Sequence, residues 1–129
     1  MRAHPTQTAY LIAKGRCDAA IKAKTVHDRF FDSAYDAAGE PEDFDTFYTE
    51  WHARNPDKAA ERDRLGALER AAKDALRRAE DAMLAWALPL VMAAATTVDA
   101  RSAVVEASTT KNHVVRQKML AAMSQLNQW

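Results

Sequence analysis

Apolar positions recur along this chain at intervals of three and four residues, the spacing that sets side chains on one face of an α-helix. The first such segment covers Thr6 to Ala38. Tyr10, Ala13, Cys17, Ala20 and Ile21 form its stripe, which Phe31, Ala34, Tyr35 and Ala38 resume. Pro5 suits the opening turn, where its missing amide hydrogen would have no partner in any case, and Gly39 with Pro41 stops the helix. As one rod the segment is roughly 50 Å long at about 1.5 Å per residue, whereas a compact domain of this size has a radius of gyration of about 14 Å. It therefore either runs through an elongated bundle or bends at the β-branched pair Thr25-Val26.

A second, shorter helix is predicted from Glu42 to Arg54. Phe44, Phe47, Tyr48 and Trp51 fall at i, i+3, i+4 and i+7, a single aromatic face. Glu42, Asp43 and Asp45 bring negative charge to the positive end of the helix dipole, and Asn55-Pro56 closes the helix because a residue before proline is pushed out of the α region.

The third helix starts near Asp57, with Leu65, Leu68, Ala72, Ala75, Ala79, Ala82 and Trp86 as its seam. Its other face is charged. Glu69 and Lys73, Asp74 and Arg78, and Arg77 and Asp81 are each four apart, and such pairs add about 0.2 to 0.5 kcal/mol apiece. From Ala82 to Ala95 no charged residue occurs. Met83, Leu84, Trp86, Leu88, Leu90, Val91 and Met92 surround the helix there, the pattern of a segment buried on every side. Pro89 should clash with the carbonyl of Ala85 and kink or end the helix. The last segment runs from Asp99 to Trp129. Val104, Val105 and Ala107 read as helix, Ser108 to Asn112 as a break, and Thr109 or Thr110 as the cap of a final helix whose seam is Val115, Met119, Ala122, Leu126 and Trp129.

Composition agrees with this pattern. Three glycines, four prolines and an abundance of alanine favour helix, and no stretch alternates apolar with polar residues as a strand would. The expected fold is all-α: an antiparallel helical bundle of three long helical segments, each with a candidate kink, plus the short aromatic helix. All 129 residues are expected to form one domain. Eighteen basic and eighteen acidic residues balance, so no global field draws the chain toward nucleic acid or anionic lipid. His4, Pro5 and Gln7 interrupt any secretory signal, and the uncharged stretch is too short to span a bilayer, which predicts a soluble cytoplasmic protein with no membrane partner. The single cysteine, Cys17, has an apolar helical neighbourhood and reads as a buried thiol.

Candidate chemistry is sparse. None of His4, His27, His52 and His113 follows a Glu by three residues, so the di-metal pattern of helical bundles is absent. Asp28, Asp32 and Asp36 form an acidic ladder that could hold a divalent cation with help from a facing helix, and a solvated face explains the same residues. Ser108 and Lys111 match the SxxK string of acyl-enzymes without its companion motifs, and a helix cap accounts for them as well. Gly15, Gly39 and Gly66 stand apart and make no phosphate loop. No catalytic residue, metal or cofactor is expected.

Three readings follow. The first is a non-catalytic interaction, assembly or regulatory protein that binds another protein or itself as a homodimer, as small adaptors of phages and plasmids do. Its contact residues would be Phe47, Tyr48 and Trp51, then Met119, Leu126 and Trp129, because aromatic and heptad faces serve cores and interfaces alike. The second is a nucleic-acid-binding regulator using Arg70, Lys73, Arg77, Lys111, Arg116 and Lys118. The third is a divalent-metal-dependent enzyme built on the aspartate ladder.

Overall fold

The computed structural model describes residues 2–126. All regular structure among them is helical: α1 (Pro5–Ala37), α2 (Phe44–Arg54), α3 (Pro56–Ala94), α4 (Val98–Thr109) and α5 (His113–Ser124). The all-α class is as the spacing predicts. The described residues divide into two compact units, one of residues 2–14 and 75–126 and one of residues 15–74.

Both ends of α1 have a legible cause. At the start of α1 the His4 N–H donates to Gln7 Oε1 at 2.8 Å, and the Thr6 N–H donates to His4 Nδ1 at 3.2 Å. The two side chains thus cap the turn reciprocally around Pro5. At its far end the Gly39 N–H donates to the Asp36 carbonyl and the Glu40 N–H to the Tyr35 carbonyl, the Schellman pairing. Gly39 holds φ at +80°, the left-handed conformation that this turn demands. A Cβ added there would meet nothing within 4 Å, so only backbone strain opposes a side chain. Gly39→Ala is expected to lower stability by about 1 kcal/mol. In urea titration the midpoint should fall with an unchanged slope, and an unmoved midpoint would show that the turn relaxes freely.

α1 continues through Thr25-Val26 without a break, and the Thr25 hydroxyl donates to the Ile21 carbonyl at 2.9 Å. Two β-branched residues lower helix propensity by tenths of a kcal/mol each, too little to interrupt a helix whose neighbours pack well. α3 likewise runs through Pro89 to Ala94 rather than ending there. Proline deprives the Ala85 carbonyl of its partner, a local cost that the apolar residues on either side outweigh. In the last segment the predicted break is present, but its cap is Asn112 and not Thr109 or Thr110. Asn112 Oδ1 accepts from the N–H groups of both Val114 and Val115, whereas Thr110 closes α4 and its hydroxyl accepts from the Asn112 N–H.

The core of the first unit is Tyr10, Met83, Ala87, Leu120 and Met123. Two predicted seams therefore hold only in part. Leu65 is buried and Ala79, Trp86, Met119 and Leu126 pack inward, but the most buried side chains of the first unit stand one residue away from predicted ones. On α3 the inward side chains are Leu65, Leu76, Met83 and Ala87, while Leu68, Ala75 and Ala82 are exposed. On α5 Leu120 and Met123 are inside, and Val115 and Ala122 are exposed. Alternating threes and fours fit two adjacent rows of one helix, and Leu76 and Met83 turn inward in place of Ala75 and Ala82 because they remove more apolar area from water. The stretch after Asp81 is not enclosed on every side either, since Leu90 remains exposed. Gln7, 1% exposed, joins the two ends of this unit: its Nε2 donates to the carbonyls of Met123 and Leu126, each at 2.9 Å. His4 stacks on Trp86, with ring centroids 4.2 Å apart. No helix among the described residues is long and apolar enough to cross a membrane.

Candidate functional site

The second unit is organised around one ring. Phe31, buried on α1, lies between 5.0 and 5.8 Å from the rings of Phe44, Phe47, Tyr48, Trp51 and His52 on α2. Asp43 orients α2 for this contact. Its carboxylate accepts from the Thr46 hydroxyl and the Thr46 N–H, and these two bonds, the hydroxyl first, hold the carboxyl below its ordinary value. Tyr35 secures the connection by donating its hydroxyl to the Pro41 carbonyl at 2.9 Å. Three predicted contact residues, Phe47, Tyr48 and Trp51, thus pack against their own unit and keep partial exposure.

Beside this cluster lies a cavity of about 270 Å³. Its apolar walls are Phe31, Phe44, Tyr48 and Trp51, and its polar walls come from all three helices of the unit. α1 supplies Lys24, His27, Asp28 and Asp32 on successive turns, α2 supplies His52, and α3 supplies Arg62. Lys24 Nζ stands 3.9 Å from Asp28. Arg62 donates to the Tyr48 hydroxyl at 3.1 Å and to Asp63, and lies over the Tyr48 ring at 5.5 Å. The bond to Tyr48 and then that to Asp63 raise the guanidinium above its ordinary value, against the opposing effect of burial. Each histidine directs one ring nitrogen at a main-chain carbonyl: His27 Nε2 meets that of Lys58 at 3.0 Å, and His52 Nδ1 meets that of Tyr48 at 2.7 Å.

Sequence spacing did not single out His27, His52, Lys24 or Arg62. The available signal was each histidine's place one helical turn from an aromatic residue, His27 before Phe31 and His52 after Tyr48. Of the aspartate ladder, Asp28 and Asp32 reach the cavity and Asp36 does not line it. Among the described residues no three His, Cys, Asp or Glu side chains are grouped to hold a metal ion.

The basic candidates are divided between the two units. In the second unit Lys73 pairs with Glu69 at 2.7 Å, which raises the ammonium and lowers the carboxyl relative to their ordinary values, while Arg70 is exposed. In the first unit Arg116 donates to the nearly buried Glu80 at 3.0 Å and stands 3.8 Å from Asp81. Arg77, Lys111 and Lys118 are exposed. Met119 and Leu126 pack onto the first unit's core, and Trp129 lies outside the described residues. Ser108 donates its hydroxyl to the Val105 carbonyl, the behaviour of a helix-end residue. Cys17 is buried with a free thiol.

The first unit also carries an apolar surface that sequence reading passed over. α4 has no buried residue, and Val98 and Val105 are 80% and 49% exposed. These two valines line a shallow groove with Arg101, Ser102 and Glu106. Val114 and Val115, at the start of α5, are exposed as well. Comparison with protein-family models, with curated proteins and with solved structures finds no match for this chain.

Proposed function

We propose that this chain is a non-catalytic protein-interaction module that docks through the exposed valine face of α4, with a second copy of itself as the partner. The observation that carries this reading is a helix of 12 residues that packs on α5 yet has no fully buried side chain and leaves Val98 and Val105 exposed. Helices of that length are marginal in water without a surface to pack on, and exposed valines add nothing to helix propensity. Covering Val98 and Val105 would supply the missing burial. The groove is flanked by Arg101 on one turn and Glu106 on the next. In a two-fold arrangement the arginine of one copy meets the glutamate of the other, and valine meets valine. The balanced net charge imposes no repulsion between copies.

The nucleic-acid reading has less support, because Lys73 and Arg116 are already matched by carboxylates of their own units. Sedimentation equilibrium across a concentration series tests the proposal. The full chain is expected to dimerise reversibly, and Val98→Asp with Val105→Asp should be monomeric with an unchanged helical circular-dichroism signal. A wild-type chain that stays monomeric throughout the series would refute it.

A further inference from the structure

Within the second unit, α1 carries another apolar row, turned away from the buried face of Cys17 and Phe31. Ala19, Ala23, Val26 and Phe30 recur at intervals of four, three and four residues. All four are exposed, Val26 by 47% and Phe30 by 51%. One turn before Ala19, a Cβ built on Gly15 would meet nothing within 4 Å, so the row begins in open space.

Cations edge this row on both sides. Lys22 and Arg29, one heptad apart, flank it on one side and Arg16 on the other, all three exposed. None of the three has an ion pair or hydrogen bond among the described residues. α3 adds Lys58, whose Nζ lies 3.5 Å from the centroid of the Phe30 ring. The carboxylates nearby do not balance these charges. Asp28 stands 3.9 Å from Lys24 toward the cavity, Glu61 near Lys58 is engaged by Arg64, and Asp18 alone borders the edge that Lys22 and Arg29 occupy. A solvated cation is ordinary by itself; an apolar row at helical spacing with cations along both edges is the pattern of a helix-pairing surface.

The row also discriminates among anionic partners. Ala19 and Ala23 bury little area in lipid, which leaves two larger side chains to insert into a membrane. Against nucleic acid, the same apolar row would lie between phosphates and gain nothing. Against a helix, small side chains let the two backbones approach and the larger ones fill its grooves. We propose that the outward face of α1 docks an anionic amphipathic helix of another protein. The partner's apolar row packs on Val26 and Phe30, and its carboxylates lie beside Lys22, Arg29 and Arg16. This surface belongs to the second unit and is independent of the α4 face in the first.

Titration of the full chain with a synthetic helix of about 20 residues, bearing one leucine row with glutamate on both edges, tests the assignment by two-dimensional proton–nitrogen NMR. The same peptide with lysine for glutamate, phosphatidylglycerol vesicles and oligouridylate serve as parallel probes. The acidic helix should shift the amides of Ala19 to Phe30 saturably, and rising salt should weaken it. The lysine peptide should bind at least about tenfold more weakly. Lys22→Glu with Arg29→Glu should keep the helical circular-dichroism signal and weaken binding about tenfold, since each reversal replaces an attraction by a repulsion. Arg78→Glu, an exposed position of the first unit, should leave affinity unchanged. The proposal is overturned by no saturable shift with the acidic helix, by shifts confined to α4, or by equal binding of the lysine peptide. An unaltered affinity in the double variant overturns it too, as do vesicles or oligouridylate that shift these amides when the acidic helix does not.

Discussion

Phe31→Ala is expected to cost about 3 to 5 kcal/mol, the range for removing a fully packed aromatic ring from a core. The large value follows from position. Phe31 is the ring that the α2 aromatics share, with Tyr48 nearest at 5.0 Å, so its loss opens a void against several partners at once. Edge-to-face contacts with Phe44, Tyr48 and Trp51 add to the burial that is forfeited. Urea denaturation measures the loss, and hydrogen exchange localises it: amides of α2 should lose protection before those of α5. Phe31→Leu, which keeps much of the volume, should cost distinctly less. A loss below about 1 kcal/mol in Phe31→Ala would mean that α2 is held by something other than this ring.

Gln7→Met should cost about 3 kcal/mol although it conserves shape and adds an apolar group. The carboxamide serves three main-chain groups: the His4 N–H donates to it, and it donates to the carbonyls of Met123 and Leu126. Methionine fills the space and leaves those groups without partners at a position 1% exposed, at about 1 to 3 kcal/mol for each group that stays dry. Thermal unfolding followed at the end of α5 provides the measurement. If Gln7→Met were as stable as wild type, water would be replacing the carboxamide and the site would not be sealed. The comparison separates packing from polar satisfaction, because volume is nearly unchanged while hydrogen bonding is lost.

Helix identity and most helix ends were legible in the chain because they depend on near neighbours. Gly39 stops α1 through its own backbone freedom, Asn55-Pro56 separates α2 from α3 through sterics, and Phe44, Phe47, Tyr48 and Trp51 share a face by spacing alone. The polar run from Ser108 to Asn112 marked a break for the same reason. Which residue caps α5 was less legible, since Thr109, Thr110 and Asn112 all carry suitable oxygens. Asn112 prevails because its side chain reaches two free amides from the residue next to the helix.

The candidate site was legible only in fragments. Asp28 and Asp32 stood out as a ladder and Tyr48 and Trp51 as an aromatic face, but nothing in their spacing says that one set lines the same cavity as the other. His27 and Arg62 enter it from separate helices, and α4's valines could not be distinguished from core valines by pattern.

The sequence by itself determined that this protein is all-helical, where α1 stops, where α2 is separated from α3, and that α2 presents an aromatic face. Each of these follows from torsional preference or side-chain period over a few residues. Only the tertiary structure decided which residues of α3 and α5 turned inward, that Phe31 receives the aromatics of α2, that Gln7 serves the end of α5, and that Val98 and Val105 of α4 stay exposed. Those outcomes depend on volumes and partners contributed by residues far apart in the chain, and helical periodicity, being the same for every row of a helix, carries no information about them.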